Sequence, residues 1–146
     1  MPVNPKSSAL KERFLGELGK NDIFPTPQRH SVYFINNLKV SIRTTTKSDR
    51  KIWYDVSEGV INEVDYFIYQ LSSHNHFALL PSRFFVDNYD KLQDSNRRGA
   101  KIFYIDYRGK QIVSGDYSSN ISEYLCSTLH DEPSKNWKQF FLKKPA

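Results

Sequence analysis

The spacing of hydrophobic and polar positions changes several times along this chain, and each change marks an element. Leu10, Phe14 and Leu18 recur at helical spacing, with Leu15 beside Phe14. This predicts a helix that Ser7 or Ser8 caps and Gly19 ends. Residues Met1 to Ser8 before it are polar and carry two prolines, the pattern of a flexible arm. Asn21 to His30 holds two more prolines and reads as an extended connection. From Val32 the period shortens to two. Val32 to Ile35 is a strand, Asn36-Asn37 a tight turn, and Leu38 to Thr45 the returning antiparallel strand. Alternation puts Leu38, Val40 and Ile42 on one face and Lys39, Ser41 and Arg43 on the other. A loop of hydroxyls and cations follows from Thr44 to Lys51. Ile52 to Val56 then resumes the same sheet as a third strand.

Beyond it, Ser57 to Val64 reads as a short helix or turn with Ser57 as its cap. Tyr66 to Leu71 is an apolar run expected at the centre of the sheet, and His76 to Leu80 is a fifth strand. Pro81-Ser82 opens a helix over roughly Arg83 to Leu92. Asp94 to Gly99 is a loop, Lys101 to Tyr107 a strand, Arg108-Gly109 a turn, and Lys110 to Val113 pairs back. Asn120-Ile121-Ser122-Glu123 matches a capping pattern, so a helix is expected to about Leu129. Pro133-Ser134 opens a last helix that carries Trp137, Phe140 and Phe141. The order of elements predicts one α+β domain over residues 1–146, with residues 1–8 as the arm. Its core is a single curved sheet, mixed or mainly antiparallel, flanked by helices.

Composition narrows the function classes. At 146 residues the chain is long enough to bury a core without covalent staples. The lone Cys126 excludes an internal disulfide and a cysteine-built zinc cage. It is expected inside the Asn120 helix as a small buried hydrophobe. No stretch approaches the roughly 18 apolar residues of a membrane span, and no signal peptide is recognised. The reading is a cytoplasmic protein with no membrane partner. Net charge is +5, and Lys and Arg in excess favour a polyanion because they displace condensed counterions from phosphates.

The cations fall in two groups. Lys39, Ser41, Arg43, Thr45, Lys47, Arg50 and Lys51 line the polar strand face and its loop; Arg97, Arg98 and Lys101 form a second cluster. Both are candidate contacts to a nucleic-acid backbone. Alternation sends only one of Trp53 and Tyr54 to the core. The pattern assigns Trp53 to the core and leaves Tyr54 on the polar face as a candidate for stacking on a base. His74 and His76 share a strand face but lack a third metal ligand. No serine-hydrolase order, phosphate-binding glycine loop or dinucleotide fingerprint is present.

Three runs carry a resemblance: Lys51 to Val56, Val64 to Tyr69, and His76 to Pro81, followed by a helix and closed by Asn136-Trp137. Their layout resembles small restriction-endonuclease-like domains of the PD-(D/E)XK superfamily, over about Ala9 to Trp137. The resemblance implies a restriction-endonuclease-like fold and a role in restriction, defence or mobile-element DNA handling. It also implies an acid near the first strand and a D/E-x-K pair in the next, which together hold a divalent metal. At the matching strand this chain has Ser41-Ile42-Arg43 instead. Serine is a poor ligand for a hard cation, and arginine cannot act as a base. The acids left for a displaced site are Glu12, Glu17, Asp49, Asp55, Glu58 and Asp65, with Asp55, Glu58 and Glu12 the catalytic candidates.

Three functions therefore stand side by side. The first is a DNA-binding domain without a cofactor, alone, as a homodimer or within a larger restriction or defence complex. The second is a Mg²⁺-dependent endonuclease with a rearranged site. The third is a protein-interaction module that binds no nucleic acid.

Overall fold

In a computed structural model, which describes residues 5–29, 31–45, 51–71 and 75–128, the chain builds an α+β fold from two sheets and three short helices. The elements are α1 (Pro5–Gly19), β1 (Thr26–Arg29), β2 (Val32–Ile35), β3 (Leu38–Arg43), β4 (Lys51–Ser57), α2 (Glu58–Ile61), β5 (Tyr66–Gln70), β6 (His76–Pro81), α3 (Ser82–Asn88), β7 (Gln93–Asp94), β8 (Ala100–Asp106), β9 (Gln111–Ser114), β10 (Tyr117–Asn120) and β11 (Leu125–Ser127). One sheet has six strands in the order β1-β2-β3-β5-β6-β11. The other runs β10-β9-β8-β4, with β7 also paired to β8. A single sheet was expected, and the difference lies in β4. It does not extend the sheet of β3 but pairs antiparallel with β8 along its whole length, Lys51 opposite Asp106 and Ser57 opposite Ala100.

The hairpin β2–β3 forms as the turn residues dictate. Asn36 takes a positive φ of 55°, which asparagine tolerates, and Ile35 pairs with Leu38. After β3 the chain must reach β5, which lies beside β3 in parallel, Val40 opposite Tyr66. Parallel neighbours need a crossover. The chain makes it by leaving the first sheet, adding β4 to the second, turning through α2, and returning. Ser57 ends β4 and caps α2, its Oγ accepting from Val60 N at 3.4 Å.

Alternation then divides the interior into two layers. Val40, Ile42, Ile68, Phe77 and Leu79 meet Phe14 and Leu18 of α1 on one face of the six-stranded sheet. Phe67, Tyr69, Ala78 and Leu80 meet Ile52, Tyr54, Val56, Phe103 and Ile105 of the second sheet on the other. Tyr69 and Phe85 are fully buried at the centre of that second layer. Tyr69 lies 4.7 Å from Tyr54 and 5.4 Å from Phe103, and Phe85 4.9 Å from Phe67, measured between ring centroids.

Other departures have local causes. Tyr54 is 6% exposed and Trp53 60%, the reverse of the expected phase. Tyr54 is admitted to the interior because its hydroxyl donates to the Gln70 carbonyl at 2.6 Å. Asn120 does not cap a helix: it ends β10, and its Oδ1 accepts from Ser122 N at 3.0 Å in a local turn. A single 3-10 turn over Ser122–Tyr124 follows, and then β11 pairs with β6. Cys126 is therefore a buried strand residue, not a helical one. Backbone pairing to the edge of β6 outcompetes the local capping signal. The helix from Arg83 is shorter than expected, ending at Asn88 before a 3-10 turn. The Thr46–Arg50 part of the basic loop and the Pro133 helix lie outside the described residues. No described helix is long and apolar enough to cross a membrane.

Ser114 shows how closely the second sheet is stitched. Its buried Oγ accepts from Gln93 N at 2.7 Å and donates to the Ile102 carbonyl at 2.6 Å, where β7 and β9 flank the same side of β8. Gly109 closes the β8–β9 turn over Asp106, whose Oδ1 accepts its N–H at 2.9 Å. A Cβ there would meet Asp106 Oδ2 at 2.7 Å.

Phe85→Ala is expected to destabilise the fold by about 3–5 kcal/mol in urea unfolding, since it empties the centre of a packed aromatic cluster. Burial also pushes the Tyr54 and Tyr69 hydroxyls above their ordinary value, with the Arg43 charge opposing it at both. The fold holds both phenols protonated while the unfolded chain ionises near its ordinary pKa. Their contribution is therefore intact below about pH 10 and lost as pH rises above it. Unfolding at about pH 8 and about pH 11 should show that loss, and Tyr54→Phe should flatten it.

Candidate anion-binding cleft

Because Val40 and Ile42 face α1, the intervening Ser41 and Arg43 must face the second sheet. Ser41 is buried there. Arg43, one residue pair further, reaches Asp55 on β4, with Nη1 2.9 Å from Oδ1. The other carboxylate oxygen accepts from Arg97 Nη2 at 3.2 Å. One carboxylate thus joins a guanidinium group on β3 of the first sheet to one on the β7–β8 loop of the second, 54 positions apart in sequence.

The loop that carries Arg97 is itself anchored. Arg97 N donates to Ser95 Oγ at 3.1 Å, and Ser95 N to the Ala100 carbonyl at 3.0 Å. Gly99 turns at φ +78° and its carbonyl accepts from Glu58 N at 3.0 Å, which docks the loop on the start of α2. Arg29, Ser31, Ser57 and Tyr69 complete a cleft of about 240 Å³ with Ser41, Arg43, Asp55 and Arg97. Its apolar floor is Val56, Val60 and Phe67. Arg29 pairs with Glu63, Nε to Oε2 at 3.1 Å. The Tyr69 hydroxyl donates to the Asp55 carbonyl at 3.4 Å.

The lining holds three guanidinium groups against one carboxylate, with four hydroxyls. Arginine forks suit oxyanions because they offer paired donors in a plane. The divalent metal that the sequence resemblance implies needs several oxygen ligands. Here Asp55 is the one carboxylate in the lining, and two arginines already hold it, so these residues do not fit such an ion. The three catalytic candidates do not meet either. Glu58 is exposed at the head of α2, and Glu12 is exposed on α1, against the opposite face of the six-stranded sheet. Among the described residues no three His, Cys, Asp or Glu gather as a metal cluster.

Of the backbone-contact candidates, Ser41, Arg43 and Arg97 converge in the cleft. Lys39 stands apart, 4.0 Å from Glu63 Oε2 and 5.8 Å from the Phe34 ring centroid. Thr45 donates its N–H to Gln70 Oε1 at 3.4 Å. Lys51 lies on the outer face of the second sheet, its Nζ 5.0 Å from the Tyr104 ring centroid. Tyr54 is removed from the surface by burial. Arg98 is exposed beside Arg97. Lys101 is held by Asp94, 2.7 Å away, and lies over Tyr89; that hydrogen bond raises its pKa. Lys47 and Arg50 lie outside the described residues. Sequence reasoning missed Arg29, Ser31, Ser57 and Tyr69 as lining groups. Arg29 sits in a Pro-bearing stretch that reads as a connection, yet β1 pairs with β2 and carries it to the cleft.

No family model matches the chain, and neither a curated protein nor a solved structure does.

Asp55→Asn tests the electrostatics directly. It removes the charge that neutralises Arg43 and Arg97, so pyrophosphate titrated at low salt is expected to bind several-fold more tightly. Because the pair is partly exposed, stability should change by less than about 1 kcal/mol.

Proposed function

We propose that this chain is a nucleic-acid-binding domain that seats backbone phosphates in the cleft between its two sheets. The observation that carries the reading is the convergence of Arg43 and Arg97 on a single carboxylate, Asp55, in a cleft that Arg29 and the hydroxyls of Ser41 and Tyr69 also line. A phosphate approaching Arg43 and Arg97 exchanges one anionic partner for another, which keeps the guanidinium groups ordered before binding. The net charge of +5 adds a long-range attraction.

The restriction-endonuclease-like resemblance belongs to the same reading. On that alignment Ser41 and Arg43 stand where a metal-holding pair would, and both face the cleft. A domain of that type whose pair has become a hydroxyl and a guanidinium would grip DNA rather than cut it. Restriction, defence or mobile-element DNA handling is the setting this reading implies.

Binding of labelled DNA at two salt concentrations tests it. Affinity is expected to fall steeply with salt. The double variant Arg43→Ala with Arg97→Ala should weaken binding and reduce the slope of log K against log salt by roughly 1.4–1.8, two phosphate contacts' worth. An unchanged slope would remove the cleft from the binding site. Mg²⁺-dependent cleavage that Asp55→Asn abolishes would replace the binder with a nuclease.

A further inference from the structure

The outer face of the second sheet carries a feature the cleft does not use. Trp53, in the middle of β4, is 60% exposed, although large aromatics in mid-strand are ordinarily buried. Its cross-strand partner is Tyr104 of β8. The two rings meet edge to face, 4.7 Å between centroids and 64° between planes. Lys51 lies over the Tyr104 ring, two positions before Trp53 on the same face. Tyr104 is thus braced from two sides while the indole stays open to solvent. Asp55, with Arg43 and Arg97 on its carboxylate, is two positions further along that face of β4. Strand rise puts it about 7 Å from Trp53, a distance that one nucleotide covers between its base and its phosphate.

We infer that Trp53, propped by Tyr104, is a stacking platform for an unpaired base whose backbone phosphate lies in the arginine cleft, so that the ligand is single-stranded nucleic acid. This rests on the nucleic-acid reading above and adds strandedness to it. Two arguments favour that occupant over an apolar partner. The exposed aromatic is flanked by Lys51 at one end and by Arg43 and Arg97 at the other. A base in duplex has its faces covered by its neighbours, whereas an unpaired base offers one to the indole.

The test compares three ligands of equal length: a single-stranded oligonucleotide, the same strand with abasic residues, and a duplex. Proteins are the full chain and its Trp53→Ala and Trp53→Phe variants, all in a Trp137→Phe background so that emission reports on Trp53 alone. The expected result is quenching of Trp53 by the single strand and little by the abasic strand. Trp53→Ala should weaken single-strand binding by about 5- to 150-fold, the value of one base–aromatic stack. Trp53→Phe should recover most of it, and abasic-strand affinity should not change. Equal affinity for the abasic and intact strands, with dependence on Arg43 and Arg97 retained, would overturn the platform and leave the phosphate cleft standing. Absence of salt-dependent binding to any of the three would overturn both. A Trp53-dependent dimer in sedimentation, with no effect of Trp53→Ala on strand affinity, would assign this face to a second copy instead.

Discussion

The parallel pairing of β3 with β5 is the constraint on which the rest of the structure depends. Two parallel neighbours cannot be joined by a tight turn, because the chain has to travel back the length of the strand. In most folds a helix makes that return. Here β4 supplies it, and in doing so leaves one sheet for another. Every later feature follows from that excursion. The second sheet gains its edge strand, the interior between the sheets gains Ile52, Tyr54 and Val56, and Asp55 is delivered to the flank where Arg43 emerges.

The cleft owes its chemistry to the same geometry. A polar strand face in a single sheet would be solvated along its length. Facing a second sheet, Ser41 and Arg43 lie instead at the margin of an aromatic core. Tyr54 and Tyr69 close the apolar side and direct their hydroxyls to backbone carbonyls of Gln70 and Asp55. Asp55 then prevents two guanidinium groups from confronting each other uncompensated at this margin. The pairing ties the two sheets together at this margin.

Trp53 and Tyr54 illustrate how a correct local rule leaves its phase open. Alternation required that one face the core and the other face away, and that holds. Which one turns inward depends on what lies on each side. The interior beside β4 contains a carbonyl that a phenol can satisfy, at Gln70, and the outer face contains Tyr104 for an indole to lean on. Neither partner is near in sequence.

By itself the sequence determined the presence of the α1 helix and its end at Gly19, the β2–β3 hairpin with its Asn36 turn, the Ser57 cap and the central position of β5; the helix starts at Pro5, inside the expected arm and ahead of the expected Ser7 or Ser8 cap. Each rests on residues within a few positions of one another, where dihedral preference and hydrophobic period act directly. The same locality made Ser41 and Arg43 recognisable as the polar side of an alternating strand, and Arg97 as part of a basic loop. Only the tertiary structure decided that there are two sheets, that β4 belongs to the second, that Cys126 lies in a strand, and that Arg29 and Asp55 join Arg43 and Arg97. Those outcomes depend on strand pairing between distant segments. The free energy of a long-range ladder and of the core beneath it exceeds the preference of any short stretch, and it has no signature in the stretch itself.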